Sequence, residues 1–156
     1  MKKIFLNGLA SLTILAALLS ISPPLPVQAY STITDTQVWT TPQVITSDII
    51  VTGTGTLTIQ TTLTMACSDP SPYPGYNPKI EIIVLGGGTL NIETAVLQGE
   101  STGGCWQGVR YNDGSIGHVT GSEIRDAITG IYVNNAAHEI SGNYIHDLIA
   151  NDGSEA

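Results

Sequence analysis

Basic residues are the scarcest chemistry in this 156-residue chain. Lysine and arginine number 5 against 13 aspartates and glutamates, and Lys2 and Lys3 sit at the very start. From Tyr30 onward only Lys79, Arg110 and Arg125 remain, a formal net charge of 3 − 13 = −10. No face can neutralise a row of phosphates, which excludes nucleic acid as a partner and argues against an acidic lipid surface. Cysteine is nearly absent too. Cys67 and Cys105 are the only two, with no third ligand near either, which excludes a structural zinc site. Gly86-Gly87-Gly88-Thr89 lacks the lysine of a phosphate-binding loop and fits a turn instead. After Ile21 no apolar run is long enough to cross a membrane.

The one long apolar run that exists, Ile4 to Ile21, follows Lys2-Lys3 and precedes Pro23, Pro24, Pro26 and the small-residue text Val27-Gln28-Ala29. This pattern predicts a signal peptide over residues 1–29, cut after Ala29. Asn7 and Gly8 interrupt the run, which weighs against an uncleaved anchor. The expected location is outside the cytoplasm: secreted, extracellular, at the cell surface or in the periplasm, with no stable membrane insertion after the cut. The stretch from Tyr30 to Ala156 suffices for one domain. Export permits a disulfide, and Cys67 and Cys105 each follow one copy of a repeat, so stacking would bring them together; two free thiols are the alternative.

Those repeats organise the rest of the chain. Gly108-Val109-Arg110-Tyr111-Asn112 returns as Gly130-Ile131-Tyr132-Val133-Asn134. Val119-Thr120-Gly121-Ser122-Glu123-Ile124-Arg125-Asp126 returns, at a spacing one shorter, as Ile140-Ser141-Gly142-Asn143-Tyr144-Ile145-His146-Asp147. A looser and more widely spaced pair aligns Gly55 to Leu63 with Gly88 to Val96, the extra length falling in the proline-rich stretch Ser68 to Pro78. Alternating β-branched residues in Val44 to Met65 mean strand rather than helix. Short strands repeated at this period predict a solenoid of about four coils over residues 44–156, most regular over 108–149, after a lead and cap over 30–43 that contains Trp39. The inward residues of the two regular coils are expected to be Val109, Tyr111, Val119 and Ile124, then Ile131, Val133, Ile140 and Ile145. Gly121 and Gly142 mark a bend needing positive φ, and Asn112 with Asn134 an amide ladder.

The text Gly-Ile-x-Val-Asn at 130–134, with Ile-Ser-Gly-Asn-x-Ile-x-Asp at 140–147 and their first copies, resembles the right-handed parallel β-helix, pectate-lyase-like superfamily. The resemblance implies an all-β fold; a β-sandwich is the runner-up, disfavoured by the register of the copies. Because a regular coil reaches residue 149 with no cap pattern after it, further β-helix coils of the same protein are expected beyond this sequence. The resemblance also implies an association with polysaccharide or a cell-surface glycan, as a non-catalytic or adhesive rod. The alternative is a polysaccharide lyase or glycoside hydrolase whose groove lies mostly on other coils.

Stacking predicts Arg125 beside His146 and Asp126 beside Asp147. Two carboxylates at strand spacing repel unless a cation sits between them, so Asp126, Asp147 and Glu123 are the candidate calcium ligands. No other cofactor is implied. In the lyases that the fold resembles, an arginine removes a proton next to calcium, which makes Arg125, with Arg110 behind it, the weak catalytic candidate. The competing account is that aspartate after a short strand forms a turn. For glycan contact the candidates are the aromatics Tyr132, Tyr144, Trp106, Tyr73 and Tyr76, since aromatic faces stack on sugar rings. The Thr52, Thr54, Thr56, Thr58 row would suit an ice-binding array only if repeated, and its aligned copy reads Thr89, Asn91, Glu93.

Overall fold

A computed structural model describes residues 31–67, 79–102 and 106–149, together with the backbone of 27–28. Every element among them is a strand, every pairing is parallel, and the strands form three sheets. The chain visits the sheets in rotation, which builds a right-handed parallel β-helix of about five coils. Coil 1 contains β2 (Ser31–Ile33), β3 (Thr36–Trp39) and β4 (Gln43–Ile45). Coil 2 contains β5 (Ile49–Val51), β6 (Thr56–Ile59) and β7 (Thr62–Met65). Coil 3 contains β8 (Ile80–Val84), β9 (Thr89–Glu93) and β10 (Val96–Gly99). Coil 4 contains β11 (Trp106–Tyr111), β12 (Ile116–Thr120) and β13 (Glu123–Arg125). Coil 5 contains β14 (Ile131–Val133), β15 (Ala137–Ser141) and β16 (Tyr144–His146). The first strand of each coil forms sheet I, the second sheet II and the third sheet III; β1 (Val27–Gln28) adds an edge to sheet III beside β4.

Five coils replace the expected four because the stretch expected as a lead and cap over 30–43 contributes, with residues 44 and 45, a complete turn of the solenoid. Its strands are only three or four residues long. The strand β1 lies within the stretch expected as a leader over 1–29, and a cut after Ala29 would remove it from sheet III.

Side chains alternate in and out along each strand, and the inward ones stack from coil to coil about 4.8 Å apart. Ile49, Ile82 and Val109 form one such column and Ile59, Ile92 and Val119 another. All six are essentially inaccessible, and each buried aliphatic contributes about 1.5 to 3 kcal/mol. The tandem copies stack in the expected register: Val109 on Ile131, Val119 on Ile140 and Ile124 on Ile145. The looser, wider pair slips by one. Ile59 pairs with Ile92, but Leu63 pairs with Leu97 and not Val96, because coil 3 inserts a residue at the corner where Thr94 takes φ 50°. Gly121 (φ 57°) and Gly142 (φ 65°) turn the same corner in coils 4 and 5.

Tyr111 lies wholly inside the solenoid. Its hydroxyl donates to the Leu90 carbonyl at 3.1 Å, and desolvation pushes its phenol far above the ordinary range. Gly117 stands in the column between Leu90 and His138. A Cβ there would lie 1.9 Å from the Leu90 carbonyl oxygen.

Candidate functional site

The outer face of sheet I carries a groove of about 660 Å³ that crosses coils 2 to 5. Alternation puts Glu81 and Ile83 outward from β8, Gln107 and Arg110 from β11 and Tyr132 from β14, while the flanking corners add Asp48, Lys79 and Thr129. The parallel ladder stacks Ile83, Arg110 and Tyr132 directly on successive coils. A bulge between Trp106 and Gly108 breaks the regular pairing with β8. Such bulges re-aim neighbouring side chains. Gly108 takes φ 125° there, and a Cβ on it would fall 1.5 Å from the Thr129 carbonyl oxygen. Only glycine allows the Thr129 corner to close onto the strand, with the Gln107 carbonyl accepting from the Thr129 N–H at 2.8 Å.

The charges in the groove are arranged in contact with one another. Arg110 forms an ion pair with Glu81 across the coil 3 to coil 4 step. Asp48 accepts the Glu81 backbone N–H at 2.9 Å. Burial pushes the Glu81 carboxyl above its ordinary value, the Arg110 hydrogen bond and charge pull it back, and Asp48 pushes it up again. Lys79 makes no ion pair with any described residue. Tyr132 stands at the coil 5 end, 51% exposed, and offers a ring face beside polar groups of both kinds.

The predicted corner is assembled differently from the expectation. Arg125 does stack on His146. Its guanidinium, however, donates to Gln98 at 2.5 Å and lies 3.3 Å from Glu123 and 3.9 Å from Asp126. Its donors are thus engaged by Gln98 and two carboxylates of the same corner. His146 sits between Glu123 at 3.1 Å and Asp147 at 2.8 Å, with Tyr144 stacked on its ring at a centroid distance of 4.1 Å. Hydrogen bonding to Glu123 first, and Asp147 after it, holds the imidazole above its ordinary value. Asp126 and Asp147 both take positive φ, 58° and 51°, the geometry of turn formers. Each neighbours a base of its own coil. Among the described residues no group of three or more histidine, cysteine or acidic side chains is placed to hold a metal ion.

The aromatic candidates divide. Tyr132 lies in the groove, while Tyr144 stacks on His146 on the outer face of sheet III. Trp106 is a correction: it is fully buried, its indole N–H donating to the Arg125 carbonyl at 3.0 Å, and no sugar can reach it. Tyr73, Tyr76 and Cys105 lie outside the described residues. Among those described no cysteine is free; the Cys67 sulfur meets the Ser101 hydroxyl at 3.1 Å, and its backbone N–H donates to the Glu100 carboxylate at 3.2 Å. The expected Asn112 to Asn134 ladder is displaced by one residue, to an Asn135 amide donating to Asp113 at 2.6 Å.

Sequence reasoning missed Glu81 and Asp48 as groove residues. It also took the chain to lack a Gly-x-Ser-x-Gly text, which Gly99-Glu100-Ser101-Thr102-Gly103 corrects; the next described element is the strand β11, whereas a nucleophile elbow leads into a helix. One signal was available, since Arg110 and Tyr132 occupy equivalent places in the two tandem copies.

Fold and groove together define a parallel β-solenoid with a mixed-charge cleft on one face. No protein-family model matches the chain, and neither a curated protein nor a solved structure matches it. The resemblance to β-helix proteins therefore stands on the architecture alone.

Proposed function

We propose that this chain is an exported, non-catalytic β-helix segment that binds glycan in the groove on sheet I. The observation that carries the reading is the exposed Tyr132 ring at the end of a cleft whose walls alternate donors and acceptors: Lys79, Arg110 and Gln107 against Asp48 and Glu81. Sugars need both, an apolar plate for the ring face and paired polar groups for the hydroxyls. The solenoid supplies rigidity, because each wall strand is fixed by its neighbours in the ladder.

One observation favours a second reading, a polysaccharide lyase or glycoside hydrolase. Glu81 is a partly buried carboxyl raised by desolvation, in a cleft that also holds Asp48, and glycosidic cleavage uses a pair of carboxyl groups of which one is raised. Its contact with Arg110 opposes that role.

Isothermal titration of the chain from Tyr30 with a panel of oligosaccharides tests the first reading. Tyr132→Ala is expected to weaken binding about tenfold or more, the loss of roughly 1.4 kcal/mol of ring contact, with an unchanged melting temperature. Equal affinity in the variant would remove the groove from consideration. Oligosaccharides recovered shortened, or carrying an unsaturated end, would establish the second reading instead.

A further inference from the structure

The groove belongs to a strongly acidic chain, yet its own walls are electrically balanced. Two of the three basic side chains after residue 29, Lys79 and Arg110, line it, and so do two carboxylates, Asp48 and Glu81. Arg110 and Glu81 neutralise one another by contact, and the remaining pair is one ammonium and one carboxylate. Around this cleft residues 30–156 carry a formal charge of −10, whose field raises the cost of bringing in a polyanion. At close range the balanced wall gives an acidic glycan no net attraction to offset that cost, since Lys79 and Arg110 are matched by Asp48 and Glu81. An uncharged glycan meets no such cost. Vicinal hydroxyls both donate and accept, so each can bridge a carboxylate and a neighbouring cation or amide of this wall.

Resting on the glycan reading above, we infer that the groove selects an uncharged oligosaccharide, lying along the solenoid axis, over an acidic one. Direction follows from placement: Ile83 on coil 3, Arg110 on coil 4 and Tyr132 on coil 5 stack directly and present apolar, polar and aromatic contacts on successive rungs about 4.8 Å apart, with Glu81 two residues before Ile83 on the same face. The ligand is thus read one rung at a time, with the terminal ring on Tyr132. This runs against the acidic substrates that a likeness to pectate lyases would suggest.

Two titrations of the chain from Tyr30 decide it, one with neutral tetrasaccharides (cellotetraose, xylotetraose, mannotetraose) and one with tetragalacturonate, each at low and at high salt. The expected result is that one or more neutral ligands bind at least about tenfold tighter than tetragalacturonate at low salt, with an affinity that salt leaves unchanged. The charge-removed variant carrying Asp48→Asn and Glu81→Gln leaves Lys79 and Arg110 unopposed. It is expected to gain about tenfold or more for tetragalacturonate, a gain that high salt abolishes. Should the double variant not fold, the salt dependence of the unaltered chain still decides the question. Tighter binding of tetragalacturonate by the unaltered chain would overturn the preference while leaving glycan binding in place. Binding of neither class would overturn the glycan reading itself.

Discussion

Coils 4 and 5 carry nearly the same text, and the same positions have opposite surroundings. Val119 and Ile124 of coil 4 are fully buried, whereas their partners Ile140 and Ile145 in coil 5 are 45% and 37% exposed. Neither sequence nor strand geometry differs enough to explain this. In a solenoid each coil buries its inward residues only where coils lie on both sides, so burial is supplied by neighbours rather than by the residue's own hydrophobicity. Among the described residues coil 4 is flanked by coil 3 and coil 5, and coil 5 by coil 4. The polar contacts follow the same asymmetry. All three histidines lie on these two coils, and they link across coil steps: His118 to Glu93, His146 to Glu123, and His138 to the ring of Tyr111.

Equivalent glycines give the largest expected contrast. In coil 4, Gly108→Ala forces a Cβ onto the backbone oxygen of Thr129 at a positive φ, at a cost of about 3 kcal/mol or more. In coil 5, Gly130→Ala meets first the Ile145 Cγ2 at 2.7 Å, a side chain able to turn away, and is expected to cost below about 1 kcal/mol. Chemical denaturation of the two variants measures both. A Gly108→Ala protein as stable as the parent would mean that the bulge is not held as described.

A smaller contrast comes from one isoleucine column. Ile124→Ala should cost about 2 to 5 kcal/mol, the range for a closed core site. Ile145→Ala, one rung on, should cost below about 1 kcal/mol, since the site is already open. Equal losses would show that coil 5 is covered in solution by something that the isolated chain does not reveal.

Smallest is the effect of pH on how coil 5 holds to coil 4. His146 faces Glu123 and Asp147, with Arg125 across the strand pair, and its folded value is raised. Its contribution is therefore complete below the unfolded value, near 6.5, and is lost as pH rises through the raised folded value. His138 is the reverse case. Its ring lies edge-on to Tyr111 at a centroid distance of 4.2 Å, its Nε2 is buried without a partner, and desolvation lowers it against a hydrogen bond at the Ala136 backbone. Its contribution is complete above about 6.5 and falls as pH drops towards the lowered folded value. Amide hydrogen exchange in β15 and β16, corrected for intrinsic rates, should show best protection near that midpoint and faster opening on either side. His146→Gln should remove the alkaline decline and His138→Leu the acid one; an unchanged profile in both would dissociate these rings from the docking of coil 5.

Much of this architecture was legible in the residues. The tandem copies fixed the pairing of coils 4 and 5, and their apolar alternation named Val109, Tyr111, Val119 and Ile124 as inward. Coil 1 was harder to see. Its strands pair with coil 2 at a closer spacing than the tandem copies show, Ser31 with Ile49 and Thr36 with Thr56. No text matches across that step, because such short strands offer only one or two inward side chains each. The groove was partly visible, through Arg110 and Tyr132. Glu81 was not, since its contact with Arg110 spans 29 positions and depends on how much chain the corners of coils 3 and 4 absorb.

Local chemistry determined what each residue could do, and the sequence alone was enough for that. Period-two alternation makes strands, and glycine permits tight corners. Tertiary stacking decided which of those capacities meet. It enclosed Trp106, tied Arg125 to Gln98 and Glu123, turned Asp126 and Asp147 into corner residues, and brought Glu81, Arg110 and Tyr132 onto adjacent rungs. The reason is physical: along a strand the side-chain direction is set by the backbone itself, but the neighbour across a rung is set by corner lengths, and one inserted residue changes every partner that follows.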